Sequence, residues 1–226
     1  MFLNVIVIAA LALTASAAPL LPPRGPAVSM GTAFRLVVKV KTADFADSPV
    51  NNHEVSIAHT IPGSNRAVIS ASPTSPTVFY QNGTQTERDL WIARLVNDTP
   101  QFPQGFFIDY EGSGGPTGDV FDVSINAGPG SQSIMVSPDS QPLAYIDLHG
   151  LTEDLDLPSS FIVCDNAGKR VLDWCASDNV PSGCVAVDLV PQCETLPALP
   201  VNATWSHEFV QEVRCYEDVA AITEWP

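Results

Sequence analysis

The residues of this 226-residue chain that could do chemistry are few and scattered. His207 and Glu208, followed by Phe209, Val210 and Gln211, reproduce the opening of a zincin H-E-x-x-H helix. Gln211 stands where the second histidine belongs, so half of the helical zinc set is missing and the stretch reads as polar first-turn sequence. Glu153, Asp154 and Asp156 gather carboxylates near Asp147 and His149. Oxygen ligands at that spacing suit Ca2+, but the central glycine and distal glutamate of an EF-hand are absent, and we read a solvated acidic loop. Glycoside hydrolysis needs two carboxylates facing across a cleft, and Glu54, Asp109 and Glu111 are as eligible as any. No G-x-S-x-G elbow occurs. His53 and His59 fall on one face of an expected strand, ~20 Å apart at ~3.3 Å per residue, too far to share a metal on a straight strand. Residues 112–118 are glycine-rich, but Asp119 follows where a phosphate loop needs Lys and Ser/Thr, so this is a hairpin loop. These residues yield no catalytic assignment, no cofactor and no metal site. Trp91, Phe106, Phe107, Tyr110 and Phe121 lie on expected strands or at their ends. They could make a sugar-stacking platform, although aromatics so placed more often fill a core.

Cysteine chemistry depends on compartment, and the amino terminus sets it. Residues 2–13 are an apolar run, too short to span a bilayer, and Ala15-Ser16-Ala17 follows as an A-x-A cleavage site. We expect a signal peptide over residues 1–17, cleaved after Ala17, and secretion into an oxidising environment where disulfides persist. Cys164, Cys175, Cys184, Cys193 and Cys215 then allow fifteen arrangements of two disulfides and one thiol. If residues 166–169 turn a hairpin, Cys164 faces roughly position 170, and Cys175 lies out of its reach. We expect Cys164–Cys184 and Cys193–Cys215, with Cys175 unpaired. Few cations surround Cys175 in sequence, so little there would activate a thiolate. Sequons at Asn82, Asn97 and Asn202 mark candidate glycosylation sites. Asn82-Gly83 also reads as an exposed turn, and Pro100 behind Asn97-Asp98-Thr99 disfavours that sequon.

The net charge of −15 is uneven: residues 18–138 hold 10 acidic and 7 basic side chains, residues 139–226 hold 15 and 3. Like charge repels nucleic acid and anionic membrane, so neither is an expected partner. No further stretch is long and apolar enough to form a membrane span.

Positioning falls to short β-rich runs. Four prolines in residues 18–29 make an N-terminal arm, assigned to 18–33. Twelve runs follow, at 34–42, 53–59, 67–70, 77–80, 90–96, 106–110, 120–125, 134–136, 143–148, 161–164, 170–174 and 184–190. Their spacing predicts one mainly β domain over 34–226, an antiparallel β-sandwich or barrel. Phe209, Val213, Tyr216 and Ala220 recur at helical spacing, which predicts one C-terminal α-helix.

Residues 183–193 and 206–222, with 34–40, the Val50-Asn51-Asn52-His53 stretch and 79–83, resemble small secreted fungal proteins carrying a domain of unknown function. The resemblance covers roughly 34–225. It implies a secreted, disulfide-bearing β domain, with Cys164, Cys184, Cys193 and Cys215 as the family's cysteines and Cys175 as an extra one. It carries no catalytic residue. The leading expectation is a secreted, non-enzymatic glycoprotein that binds extracellular carbohydrate or a cell-wall surface. An extracellular glycoside hydrolase and a structural or antigenic protein without a small ligand are the alternatives. Paired carboxylates in a cleft with exposed aromatics would favour the hydrolase; exposed aromatics without such a pair would favour binding.

Overall fold

The structure, a computed structural model, describes residues 27–61, 64–71, 73, 75–109, 119–139, 141–146 and 159–225. The expected signal peptide, most of the expected arm, Tyr110, Glu111, the glycine-rich loop and the acidic group from Asp147 to Asp156 lie outside the described residues.

The runs of alternating and β-branched residues become strands. In chain order these are β1 (Val28–Gly31), β2 (Ala33–Val40), β3 (Glu54–Ile61), β4 (Ser64–Ser70), β5 (Phe79–Asn82), the short helix α1 (Gln85–Asp89), β6 (Arg94–Asp98), β7 (Pro103–Asp109), β8 (Val120–Ala127), β9 (Ile134–Val136), β10 (Ala144–Ile146), β11 (Ser160–Asn166), β12 (Lys169–Cys175), β13 (Cys184–Glu194), β14 (Val210–Gln211) and β15 (Val213–Tyr216). Strands β2, β13, β11, β12, β4, β8, β7, β6 and β5 close into a 9-strand antiparallel barrel. Closure removes the free edges that an open sheet would leave. Strand β3 forms a hairpin with β4 and touches β2 at Val37↔Glu54. Strand β1, inside the stretch expected to be an arm, pairs with β15.

The barrel interior is apolar. Phe34, Leu36, Phe79, Leu95, Phe106 and Leu172 meet there. Gly105 marks a close approach on β7: a Cβ at this position would sit 1.9 Å from the Gly130 nitrogen. A smaller cluster of Val37, Val190, Tyr216 and Val219, with Trp225, lies under the C-terminal segment. Lys39 crosses to it, donating to Asn52 Oδ1 at 2.7 Å and to the Ile222 carbonyl at 2.9 Å.

The expected C-terminal helix does not form. Gln211, Val213 and Cys215 are buried in alternation with exposed Glu212 and half-buried Arg214, which is the period of a strand. Phe209 and Ala220, two members of the supposed helical face, are exposed. Tertiary pairing settles the matter: Val210 and Gln211 pair with β5, and residues 213–216 pair with β1. The chain's one described helix is instead α1, which closes a capping box between Thr84 and Glu87.

Candidate functional site

Asp98 ends β6, opposite Pro103 of β7. Its side chain is 8% exposed and receives three donors. Tyr80 Oη and Trp205 Nε1 donate to Oδ1 at 3.0 and 2.9 Å, and His207 Nε2 lies 2.7 Å from Oδ2. Burial, then the Asp98 charge and its hydrogen bond, push the Tyr80 phenol well above its ordinary range. The Tyr80 and His207 rings meet edge to face at 5.1 Å. Trp205 and His207 come from the connection between β13 and β14, so this carboxylate ties that connection onto β5 and β6. A cleft of about 370 Å3 adjoins it, lined by residues that include Ser56, Thr77, Asn97 and Asp98. Among the described residues, no hydroxyl or thiol is hydrogen-bonded to the second nitrogen of His207.

A second cleft, about 260 Å3, opens at the end of α1 and is lined by Gln81, Arg88, Asp89, Trp91, Met135, Val136 and Pro138. Its walls follow from local sequence. Thr84 caps α1, and its backbone and side-chain hydrogen bonds hold the Glu87 carboxyl below the usual range. At the other end Trp91 N–H donates to Arg88 O at 3.1 Å and Ile92 N–H to Glu87 O at 2.9 Å. That pair of bonds is a Schellman motif, which places Trp91 at the left-handed position that favours glycine. Its φ is 59°. Trp91 is 40% exposed, and its ring meets Tyr145 edge to face at 6.0 Å. Gln81, 1% exposed, fixes the floor: its Oε1 accepts from Val136 N–H at 2.8 Å and its Nε2 donates to Gln211 Oε1 at 2.6 Å. Gln211 Nε2 in turn donates to the carbonyls of Gly83 and Thr84, at 2.6 and 3.0 Å. The two glutamines thus join β9, β5, β14 and the start of α1.

The residues singled out from sequence do not converge. Phe106 is fully buried between Phe79 and Phe161, Phe121 packs on Trp174 at 5.4 Å, and Phe107 is half-buried. The aromatic platform is therefore absent as a unit, and of its described members Trp91 alone is an exposed large ring. Glu54 is bound by Arg35. Asp109 sits at the end of β7 opposite Asp122. His59 Nδ1 lies 2.9 Å from Asn65 Oδ1, while His53 precedes β3. His207 is joined to Asp98, Glu208 is exposed, and Gln211 is buried among amides. Among the described residues no three His, Cys, Asp or Glu side chains are grouped to hold a metal.

Cys164 and Cys184 face one another across β11 and β13 and are bonded. Cys193 and Cys215 are bonded as well, joining β13 to β15, and Cys175 is a buried thiol. The hairpin that separates Cys164 from Cys175 turns at Ala167 and Gly168, both at positive φ, and puts Val171 opposite Cys164. Of the three sequon asparagines, Asn202 is exposed in a turn. Asn82 is half-buried within β5, and Asn97 is only 5% exposed within β6. Asp98 escapes sequence reasoning because its partners stand 18, 107 and 109 residues away. The α1 cleft left one signal, the Thr84-x-x-Glu87 capping box.

The model of a domain of unknown function, DUF7907, matches residues 31–193. Antigenic protein SchS34 of Stachybotrys chartarum is 32% identical over 222 residues, covering 88% of this chain and 92% of that protein. A solved structure of full-length CARDS toxin aligns with a TM-score of 0.44 at 10% identity. It covers 73% of this chain and 27% of the toxin, and a likeness that weak carries no argument. Among the described residues no helix is long and apolar enough to cross a membrane.

Proposed function

This chain belongs to the family defined by the domain of unknown function DUF7907, and from that premise we propose that it is a secreted, non-enzymatic protein that binds a carbohydrate-bearing wall or host surface through the Trp91 cleft. One observation carries the reading. Trp91 stands exposed over a cleft whose only described carboxylate is Asp89, and Asp89 Oδ1 already accepts from Gln85 Nε2 at 2.7 Å. A glycosidase cleft needs a second, facing carboxylate. An aromatic shelf without that pair suits retention of a ring and not its cleavage. The A-x-A site after an apolar run and the two disulfides support secretion. Asn202 is the sequon we assign to a glycan, since its side chain is exposed.

A second reading is an antigenic protein without a small ligand; the 32% identity to a protein named as antigenic favours the antigenic part of it. The secreted protein, incubated with insoluble wall polysaccharides, separates the readings. Depletion of protein without sugar release supports binding. Sugar release supports a hydrolase, and neither signal supports the antigenic reading.

A further inference from the structure

Resting on the binding reading above, we propose that the Trp91 cleft selects a six-membered ring that carries a carboxylate, with the ring against the indole and the carboxylate on Arg88. The charge on Arg88 is the deciding observation. Arg35, Lys41, Arg66, Arg94 and Arg170 are held in ion pairs and Lys39 by two hydrogen bonds; Lys169 and Arg214, like Arg88, are in no ion pair among the described residues, but neither of them lines the cleft. Arg88 lines the cleft, and no ion pair or hydrogen bond engages its guanidinium among the described residues. A guanidinium is permanently charged, and its planar fork matches a carboxylate with two parallel hydrogen bonds. The neighbouring Asp89 forms no ion pair with Arg88; its Oδ1 accepts from Gln85 Nε2 at 2.7 Å.

The other walls describe the rest of the ligand. Met135, Val136 and Pro138 present apolar surface, and Trp91 presents a ring held edge-on by Tyr145. Those surfaces call for a flat, weakly polar face. A volume of about 260 Å3 lies just below the ~300–1,000 Å3 of drug-sized pockets, which limits the occupant to one ring or the end of a chain. The backbone adds a further sign of use. A tryptophan at a left-handed cap position gives up stability that glycine would keep. An acidic sugar residue and a free aromatic acid share this chemistry, and the test separates the two sources.

The experiment titrates the full secreted chain with a galacturonate trisaccharide, a galactose trisaccharide and phenylacetate, following the heat of binding by isothermal titration calorimetry. It compares wild type with Arg88→Gln and Trp91→Ala. Trp91 is exposed and Arg88 half-buried, and circular dichroism verifies the fold of each variant. The proposal expects galacturonate to bind about tenfold or more tightly than galactose, the gap to vanish in Arg88→Gln, and the signal to vanish in Trp91→Ala. Binding of phenylacetate alone, lost in Arg88→Gln, assigns the cleft to a free acid and overturns the carbohydrate reading. Equal binding of galactose and galacturonate, unchanged in Arg88→Gln, overturns the carboxylate assignment while leaving the binding reading intact. No binding of any probe overturns both.

Discussion

Asp98 and His207 are separated by 109 residues and meet at 2.7 Å. The contact closes the connection between β13 and β14 over β5 and β6, and Tyr80 and Trp205 complete it. Asp98→Ala leaves three donors in a poorly solvated place. We expect a loss of about 3 kcal/mol in unfolding free energy, since removing one partner strands the others. A shift in denaturant midpoint at constant slope measures it. A loss below about 1 kcal/mol would mean that the cluster is not a structural tie.

Trp91 and Trp174 should respond unequally to truncation. Trp174 is 3% exposed in the core, and Trp174→Ala should cost about 3–5 kcal/mol. Trp91→Gly relieves the left-handed backbone by about 1 kcal/mol and gives up one edge-to-face contact of similar size. Its thermal midpoint should stay close to wild type. A large drop would make Trp91 a structural residue.

Burial lifts the Asp173 carboxyl above its ordinary range, and the attraction of Arg66 opposes the shift without cancelling it. A carboxyl with a raised native pKa holds its proton more tightly when folded. Its contribution is therefore fully present below the ordinary carboxylate value near 3.9 and is lost as pH rises through the raised native value. Relative to wild type, Asp173→Asn should be at its best at pH 7 and should lose that advantage towards pH 4. Unfolding free energies of both proteins at the two pH values check the sign, and an advantage that grows on acidification would contradict it.

Without reductant, the native protein should resist alkylation, and the denatured protein should take up one label, on Cys175. Breaking Cys193–Cys215, which closes a sequence separation of 22 residues, should cost ~3 kcal/mol. Mass spectrometry of labelled peptides reads the first outcome and chemical denaturation of Cys193→Ala/Cys215→Ala the second. A second labelled thiol would refute the bonded pairs.

Glycan mapping of the protein secreted by a eukaryotic host should find occupancy at Asn202 and none at Asn82, half-buried within β5, or at Asn97, only 5% exposed within β6. An endoglycosidase should leave the mobility of Asn202→Gln unchanged. A glycan on Asn97 would contradict the position of β6.

The strands were legible wherever turn residues bounded them and β-branched or alternating residues filled them. β2, β11, β12 and β13 fall within or around their expected runs because burial on the barrel and alternation agree there. The C-terminal segment misled because Phe209, Val213, Tyr216 and Ala220 satisfy a helical period by coincidence. The true period of two runs through Gln211, a polar residue that a hydrophobicity pattern does not count as buried. The run at 90–96 reads as one strand, yet its first half closes α1 and only its second half enters β6. The cleft was illegible for a related reason. Its walls come from β5, α1 and the region around β9, and only long-range pairing brings them together. Arg88 becomes informative only when every other partner is known, and no local motif conveys that.

The most direct test of the account is co-sedimentation of wild type and Trp91→Gly with insoluble wall polysaccharides, assaying the supernatant for protein and for released sugar. The account predicts depletion of wild type, no sugar release, and recovery of Trp91→Gly in the supernatant. Sugar release, or equal depletion of the two proteins, would contradict it.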